Sequence, residues 1–279
     1  MADIKLFVCC HKLELIPKHP LLFPIQVGAF LADKHFRDYL HDDTGDNISE
    51  KNGSYCELTA QYWAWKNVKA DYYGFFHYRR FLYPDINARL PYRIEREPNL
   101  SILNKIGYGE FADLIQKYDL IAPIGENMYV SVRDHYANAP FHHLTDLDLV
   151  EMITRERTPE ISGAMEEYMS NTISYFGNIY IMRRRLFQNY CSWLFPVLEE
   201  FDCISDTKNY SVQEKRVDGY LAERLLGTYI TKIKKESKNK VLEIPRVHFA
   251  STNYWRKSLI NTLLPPSTYR RHIIKHFFM

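Results

Sequence analysis

Strand-like and helix-like runs alternate through most of this 279-residue chain, and that order predicts an α/β fold with a largely parallel sheet. Two further observations support it. The candidate strands are short, continuous apolar runs, as expected for strands covered on both faces. The candidate helices carry apolar residues at helical spacing. No internal repeat or low-complexity linker divides the chain, so one domain over 1–256 with a C-terminal extension over 257–279 is expected.

The first run, "IKLFVCC" at 4–10, reads as a buried strand that ends at His11 and Lys12. "LFPIQVGAF" follows, and then a polar loop, "HDDTGDNISEKNGSY". Ser54 and Glu57 have capping-box spacing and are expected to start the helix "ELTAQYWAWKNV". Leu58, Tyr62 and Trp65 share one face of it. "DYYGFFHY" and "YDLIAPI" at 118–124 read as strands. The stretch 126–172 is polar and aromatic, with a helix expected at 145–156. "SYFGNIYIM" at 174–182 is a further strand. A helix follows at 184–201, with Pro196 as a kink point. Another is expected at 216–230, then a Lys-rich turn and a last strand, "VLEIPRV".

Composition narrows the function. A net charge of +2 argues against a general nucleic-acid binder. An RNA-binding module that uses Arg with aromatics is disfavoured for the same reason. Five cysteines, without zinc-type spacing, fit reduced thiols in a cytoplasmic protein. The N-terminus runs straight into a strand with no signal-peptide pattern, and no apolar run approaches the roughly 18 residues of a membrane span. A soluble or peripheral protein is expected. The 21 tyrosines suit either an aromatic core or a surface that stacks on sugars and bases.

Ligands of parallel sheets bind beyond the carboxyl ends of the strands. Two motifs fall there: His11-Lys12 and His77-Tyr78-Arg79-Arg80. Planar guanidinium forks match phosphate oxygens. With His77 and Lys12 they suit a diphosphate held without a metal. The competing reading pairs one arginine with Asp71 or Asp85 and leaves the other solvated. Asp42, Asp43 and Asp46 could ligate a metal, but their Gly/Asn/Ser surroundings favour a plain loop. His142, His143, Asp146 and Asp148 read better as a helix start than as metal ligands. Glu223 lies about 200° from Leu221 around its helix, on a face with Tyr220 and Gly227. A small residue one turn on leaves room for a ligand, and Glu223 then suits a general base. An exposed Glu, or one paired with Arg216, is the alternative. Gly-rich phosphate loops, nucleophile elbows and His-Glu-x-x-His zinc motifs are absent from the sequence.

The blocks "ELTAQYWAWKN", "DYYGFFHYRRFLYP", "YDLIAPI", "NIYIM" with "YCSWLFPVL", and "GYLAERLL" together resemble a bacterial family of capsular and exopolysaccharide biosynthesis proteins. That family, long labelled a domain of unknown function, includes galactofuranosyltransferases and is GT-A-like. The resemblance spans about residues 4–250. It implies a UDP-sugar donor, with galactofuranose as the sugar in known cases, and a lipid-linked glycan acceptor. It places His77-Tyr78-Arg79-Arg80 where related folds carry an Asp-x-Asp metal motif. No cofactor is therefore expected, with Mn2+ or Mg2+ left open. His11, Lys12, Gln26, Gly28, Trp65, Lys66, His77, Tyr78, Arg79 and Arg80 form the implied donor set. Glu223 is the first choice for the base of an inverting transfer and Asp218 the second. Asn178, Tyr180 and Tyr220 are the implied acceptor contacts.

A non-catalytic nucleotide- or glycan-binding protein on the same fold is the rival reading. In the tail, Leu259, Ile260, Leu263 and Leu264 precede Arg270, Arg271, His272, Lys275 and His276. Such a segment suits either peripheral contact with the inner face of the cytoplasmic membrane or a packed helix or oligomer contact. The oligomeric state stays open.

Overall fold

A computed structural model describes residues 2–250 and 252–278, with side chains in the last helix described as far as Ile274. The side chains of Lys275 and His276, named above for the tail, lie outside that description. The strands are β1 (Ile4–Cys10), β2 (Leu22–Gln26), β3 (Leu40–His41), β4 (Tyr72–His77), β5 (Arg80–Leu82) and β6 (Tyr92–Glu95). They continue with β7 (Leu120–Pro123), β8 (Glu126–Asn127), β9 (Ile173–Ser174), β10 (Tyr180–Arg183), β11 (Val241–Ile244) and β12 (Arg246–Phe249). The main sheet runs β11-β7-β10-β4-β1-β2-β3. Only β10 runs against its two neighbours along this path. The mostly parallel α/β architecture expected from the sequence is the one observed.

The continuous apolar strands follow from a sheet covered on both faces. Successive side chains point to opposite faces. Phe7, Cys9, Tyr73 and Phe75 enter one core, while Leu6, Val8, Cys10, Tyr72 and Phe76 enter the other. The first core includes the helices Arg184–Ile204 and Val217–Lys235, and the second the segment around Leu103–Ile115.

Several local expectations need correction. The Ser54/Glu57 capping box does not form. Ser54 lies in a short helix, Asn52–Tyr55, and its hydroxyl donates to Asp218 instead. The next helix, Leu58–Asn67, starts after Glu57, which makes no side-chain cap bond. Cys56 between them has φ 52° and ψ −127°, so the chain kinks there. The 174–182 run forms strand only at its two ends, in β9 and β10. The helix expected at 216–230 runs on to Lys235, into the Lys-rich stretch read as a turn. Pro245 splits the last strand: β11 joins β7, whereas β12 joins β5 and β6. The helix Leu144–Arg157 is followed by a second one, Pro159–Ser170, which opens on proline, a favourable first-turn residue.

The tail forms two helices, Tyr254–Leu263 and Tyr269–Phe278, and it packs on the domain. The Tyr129 hydroxyl donates to the Ser267 carbonyl at 2.9 Å, and the Arg271 guanidinium lies 5.7 Å from the Tyr92 ring. Trp255, Leu259 and Leu263 remain exposed. No helix among the described residues is long and apolar enough to cross a membrane.

Candidate active site

β1 and β4 are parallel neighbours, with Cys9 opposite His77. Beyond their carboxyl ends opens a cleft of about 490 Å³. β4 turns into β5 through Tyr78 and Arg79, and the hairpin pairs His77 with Arg80. The turn therefore sets three basic side chains at one strand end. His77, Arg79 and Arg80 line the cleft, joined by His11 from the end of β1 and Arg216 from the approach to helix Val217–Lys235. Among the described residues, no carboxylate lies within ion-pair distance of Arg79 or Arg80. Asp71 instead pairs with Arg184 at 3.3 Å, and Asp85 bonds within its own loop. The alternative in which these aspartates absorb an arginine is thereby set aside.

Burial, helped by the neighbouring cations, keeps the histidines of this wall neutral. Burial, followed by Arg80 and Arg79, depresses the His77 pKa to about 2. The Arg79 backbone N–H donates to Nδ1 of His77 at 3.2 Å. The proton of the neutral ring therefore sits on Nε2, where it is free to donate. Burial and then Arg79 also lower the pKa of His11. Burial works against the Arg80 charge while Glu223 supports it. A guanidinium stays protonated regardless.

The opposite wall is acidic. Glu57 and Glu223 both line the cleft. The Gly177 N–H donates to Glu223 Oε1 at 2.7 Å, and Asn178 Nδ2 donates to Glu57 Oε1 at 2.8 Å. Two consecutive residues of the loop before β10 thus orient both carboxylates. Both have positive φ, 91° at Gly177 and 50° at Asn178. Burial raises the Glu57 pKa above the usual carboxylate range, against the Asn178 bond, with Glu223 adding to the rise.

The remaining expected site residues divide clearly. Tyr220 lines the cleft and stacks on His142 at 4.2 Å. Lys12 is drawn to Glu14 at 2.7 Å and sits over the Tyr78 ring, outside the lining. Tyr78 is buried beneath Arg79. Gln26 braces a loop, accepting from the Phe36 N–H and donating to the Lys34 carbonyl. The Gly28 N–H is spent on Asp42, which also accepts from Ala29 and Ser49. Asp42 is thus a buried loop brace. Trp65 stacks on Phe195, with Lys66 over its ring at 3.8 Å, away from the cleft. Tyr180 is fully buried and its hydroxyl donates to Gln61. Asp218 is also fully buried, and burial followed by Asp202 lifts its pKa to about 7. It does not reach the cleft lining. Gly227 leaves room for the Tyr168 ring rather than for a ligand: a Cβ there would lie 2.0 Å from Tyr168 Cζ.

Glu57, Arg216 and Cys56 are among the lining residues that the sequence reading did not place in the site. The capping-box spacing points Glu57 to a helix cap, and a pairing with Glu223 is only one of the alternatives the sequence offers for Arg216. Arg216 Nε in fact donates to Cys56 Sγ at 3.3 Å. No group of His, Cys, Asp or Glu suited to a metal occurs among the described residues. His143 meets Glu214, and Asp146 accepts from Tyr210. A second cavity, about 560 Å³, lies among helices at 131–170. Its Arg133 is already paired with Glu151 and Asp148, and it shares no lining residue with the strand-end cleft.

The profile of a domain of unknown function, DUF4422, matches residues 5–236. The chain belongs to this family. No curated protein matches it. Among solved structures it is similar to the apo form of WbbM, a bifunctional glycosyltransferase, with a TM-score of 0.83 and 30% identity. The match covers 88% of this DUF4422 chain and 45% of the WbbM chain, so the chain spans less than half of that protein. The α/β, GT-A-like fold expected from the resemblance is the fold of this family member.

Proposed function

We propose that this DUF4422 protein is a glycosyltransferase that moves a sugar from a UDP-sugar to a glycan hydroxyl by metal-independent, inverting displacement. The observation that carries the reading is the convergence of Arg79, Arg80 and Arg216 with Glu223 on one cleft at the strand ends. Its similarity to a glycosyltransferase structure supports the same class.

The diphosphate lies against the arginines and His77. The acceptor hydroxyl oxygen attacks the anomeric carbon from the face opposite the phosphate, and its proton passes to Glu223. The bond from the anomeric carbon to the phosphate oxygen breaks, and UDP leaves with both electrons. The fixed cations stabilise the developing negative charge, a preorganised effect. Galactofuranose is the proposed sugar. A growing, lipid-linked capsular or exopolysaccharide glycan is the proposed acceptor, made at the cytoplasmic face of the membrane. UDP release from a panel of UDP-sugars, UDP-galactofuranose included, with a synthetic glycan acceptor tests the reading. Acceptor-dependent release supports it, and release from none of them refutes it.

The exposed Trp255, Leu259 and Leu263, with Arg256 and Lys257 beside them, suit contact with an anionic bilayer. The chain is expected to float with anionic liposomes and Trp255→Glu to float less. Equal flotation would dismiss the tail's role.

A further inference from the structure

Glu57 sits in a place that packing alone does not explain. Glu57 is half-buried at the edge of the cleft, and an enclosed carboxylate usually has a paired cation. Glu57 has no ion-pair partner among the described residues, and Arg216 and Arg80 act on it only at a distance. One oxygen accepts from Asn178, while the group still lines the cleft. Its own backbone N–H also supports the carboxyl, but an ionised carboxyl has about four lone-pair sites, so accepting capacity is left over for a ligand.

The backbone around it has positive φ in two places. Cys56, directly before Glu57, has φ 52°, and Asn178, its donor, has φ 50°. Asparagine adopts this region readily, whereas a cysteine there is uncommon, and such positions cluster at functional sites. Here both positions serve the same side chain. Asn178 is held in turn: its Nδ2 also donates to the Gly219 carbonyl at 3.1 Å, and its own carbonyl accepts from Gln61. The carboxylate is therefore preorganised, with buried Cys9 beside it in the same cleft.

Such an acceptor, with no cation of its own, suits a ligand that brings several neutral donors at fixed spacing. Sugar hydroxyls are donors of this kind, and diphosphate oxygens are not. We propose that Glu57 reads the hydroxyls of the donor sugar and is a specificity-determining residue of the transfer. The proposal rests on the transferase reading above. It divides the acidic wall: Glu57 accepts from the sugar, and Glu223 takes the acceptor proton.

Calorimetric titration of UDP and of UDP-galactofuranose, UDP-galactose and UDP-glucose into wild type and Glu57→Gln tests it. Glutamine keeps an oxygen for Asn178 but loses the charge. UDP affinity should stay within about twofold. Affinity for the best UDP-sugar should fall about tenfold or more, the worth of a charge-assisted hydrogen bond. The kcat/KM ratio between UDP-galactose and UDP-glucose should move towards unity. Asn178→Gly, which keeps the backbone geometry and drops the bond to Glu57, should give a smaller loss in the same direction. It also guards against a folding artefact in either variant. Unchanged UDP-sugar affinity in Glu57→Gln, with UDP still bound, overturns the Glu57 assignment alone. A collapse of kcat at unchanged KM overturns it too, since Glu57 would then be the base. A wild type that binds neither UDP nor any UDP-sugar overturns it together with the transferase reading.

Discussion

The two walls of the cleft are built by different means. The cationic wall comes mainly from neighbouring strand ends and one two-residue hairpin, so most of its residues are close in sequence. The acidic wall gathers Glu57, Gly177, Asn178 and Glu223 from a helix junction, a loop and a second helix. One wall is local and rests on the sheet. The other exists only once distant elements have packed. The comparison teaches that the two walls can be perturbed separately, and under the proposed function that separates diphosphate binding from proton transfer.

The largest separation should come from Glu223→Gln. We expect kcat to fall about 10²–10⁴-fold, the usual worth of a general base, with UDP affinity nearly unchanged. Steady-state UDP release alongside calorimetry checks it, and an equal loss in both would merge the two walls.

Gly227→Ala probes the supports of the acidic wall. The added Cβ would meet the Tyr168 ring, whose hydroxyl accepts from the Tyr175 N–H in the loop leading to Gly177. Overpacking of this kind costs about 1–3 kcal/mol. A lower melting temperature and a lower kcat are expected, with UDP binding retained.

Asp218→Asn should have the smallest effect, and on stability alone. The folded chain holds the Asp218 proton up to about pH 7, against 3.8 when exposed. Between those values the folded state binds more protons than the unfolded one, so stability falls as pH rises through the window. Asn cannot ionise. Thermal melts should show the variant gaining on wild type from pH 4 to pH 8; a constant difference would contradict the burial argument.

The same contrast explains what the sequence disclosed. The sheet was legible because β1 and β4 are apolar throughout, as strands covered on both faces must be. His77, Arg79 and Arg80 were legible because charged residues ending such a run are conspicuous. Glu57 was hidden because Ser54 three residues earlier imitates a capping box, and only the kink at Cys56 breaks it. Lys12, Trp65 and Tyr180 lie on the right elements. Their directions depend on Glu14, Phe195 and Gln61, partners that local pattern does not specify. Pro245 was visible in the last strand, but that it sends the chain to a second set of partners was not.

The central claim is that the cationic wall holds a diphosphate without a metal. Titration of UDP in EDTA into wild type and into the double variant Arg79→Ala, Arg80→Ala tests it most directly. The account predicts binding by wild type without added metal and a loss of about tenfold or more in the double variant. Binding that requires Mn2+, or that survives unchanged without both arginines, would contradict it.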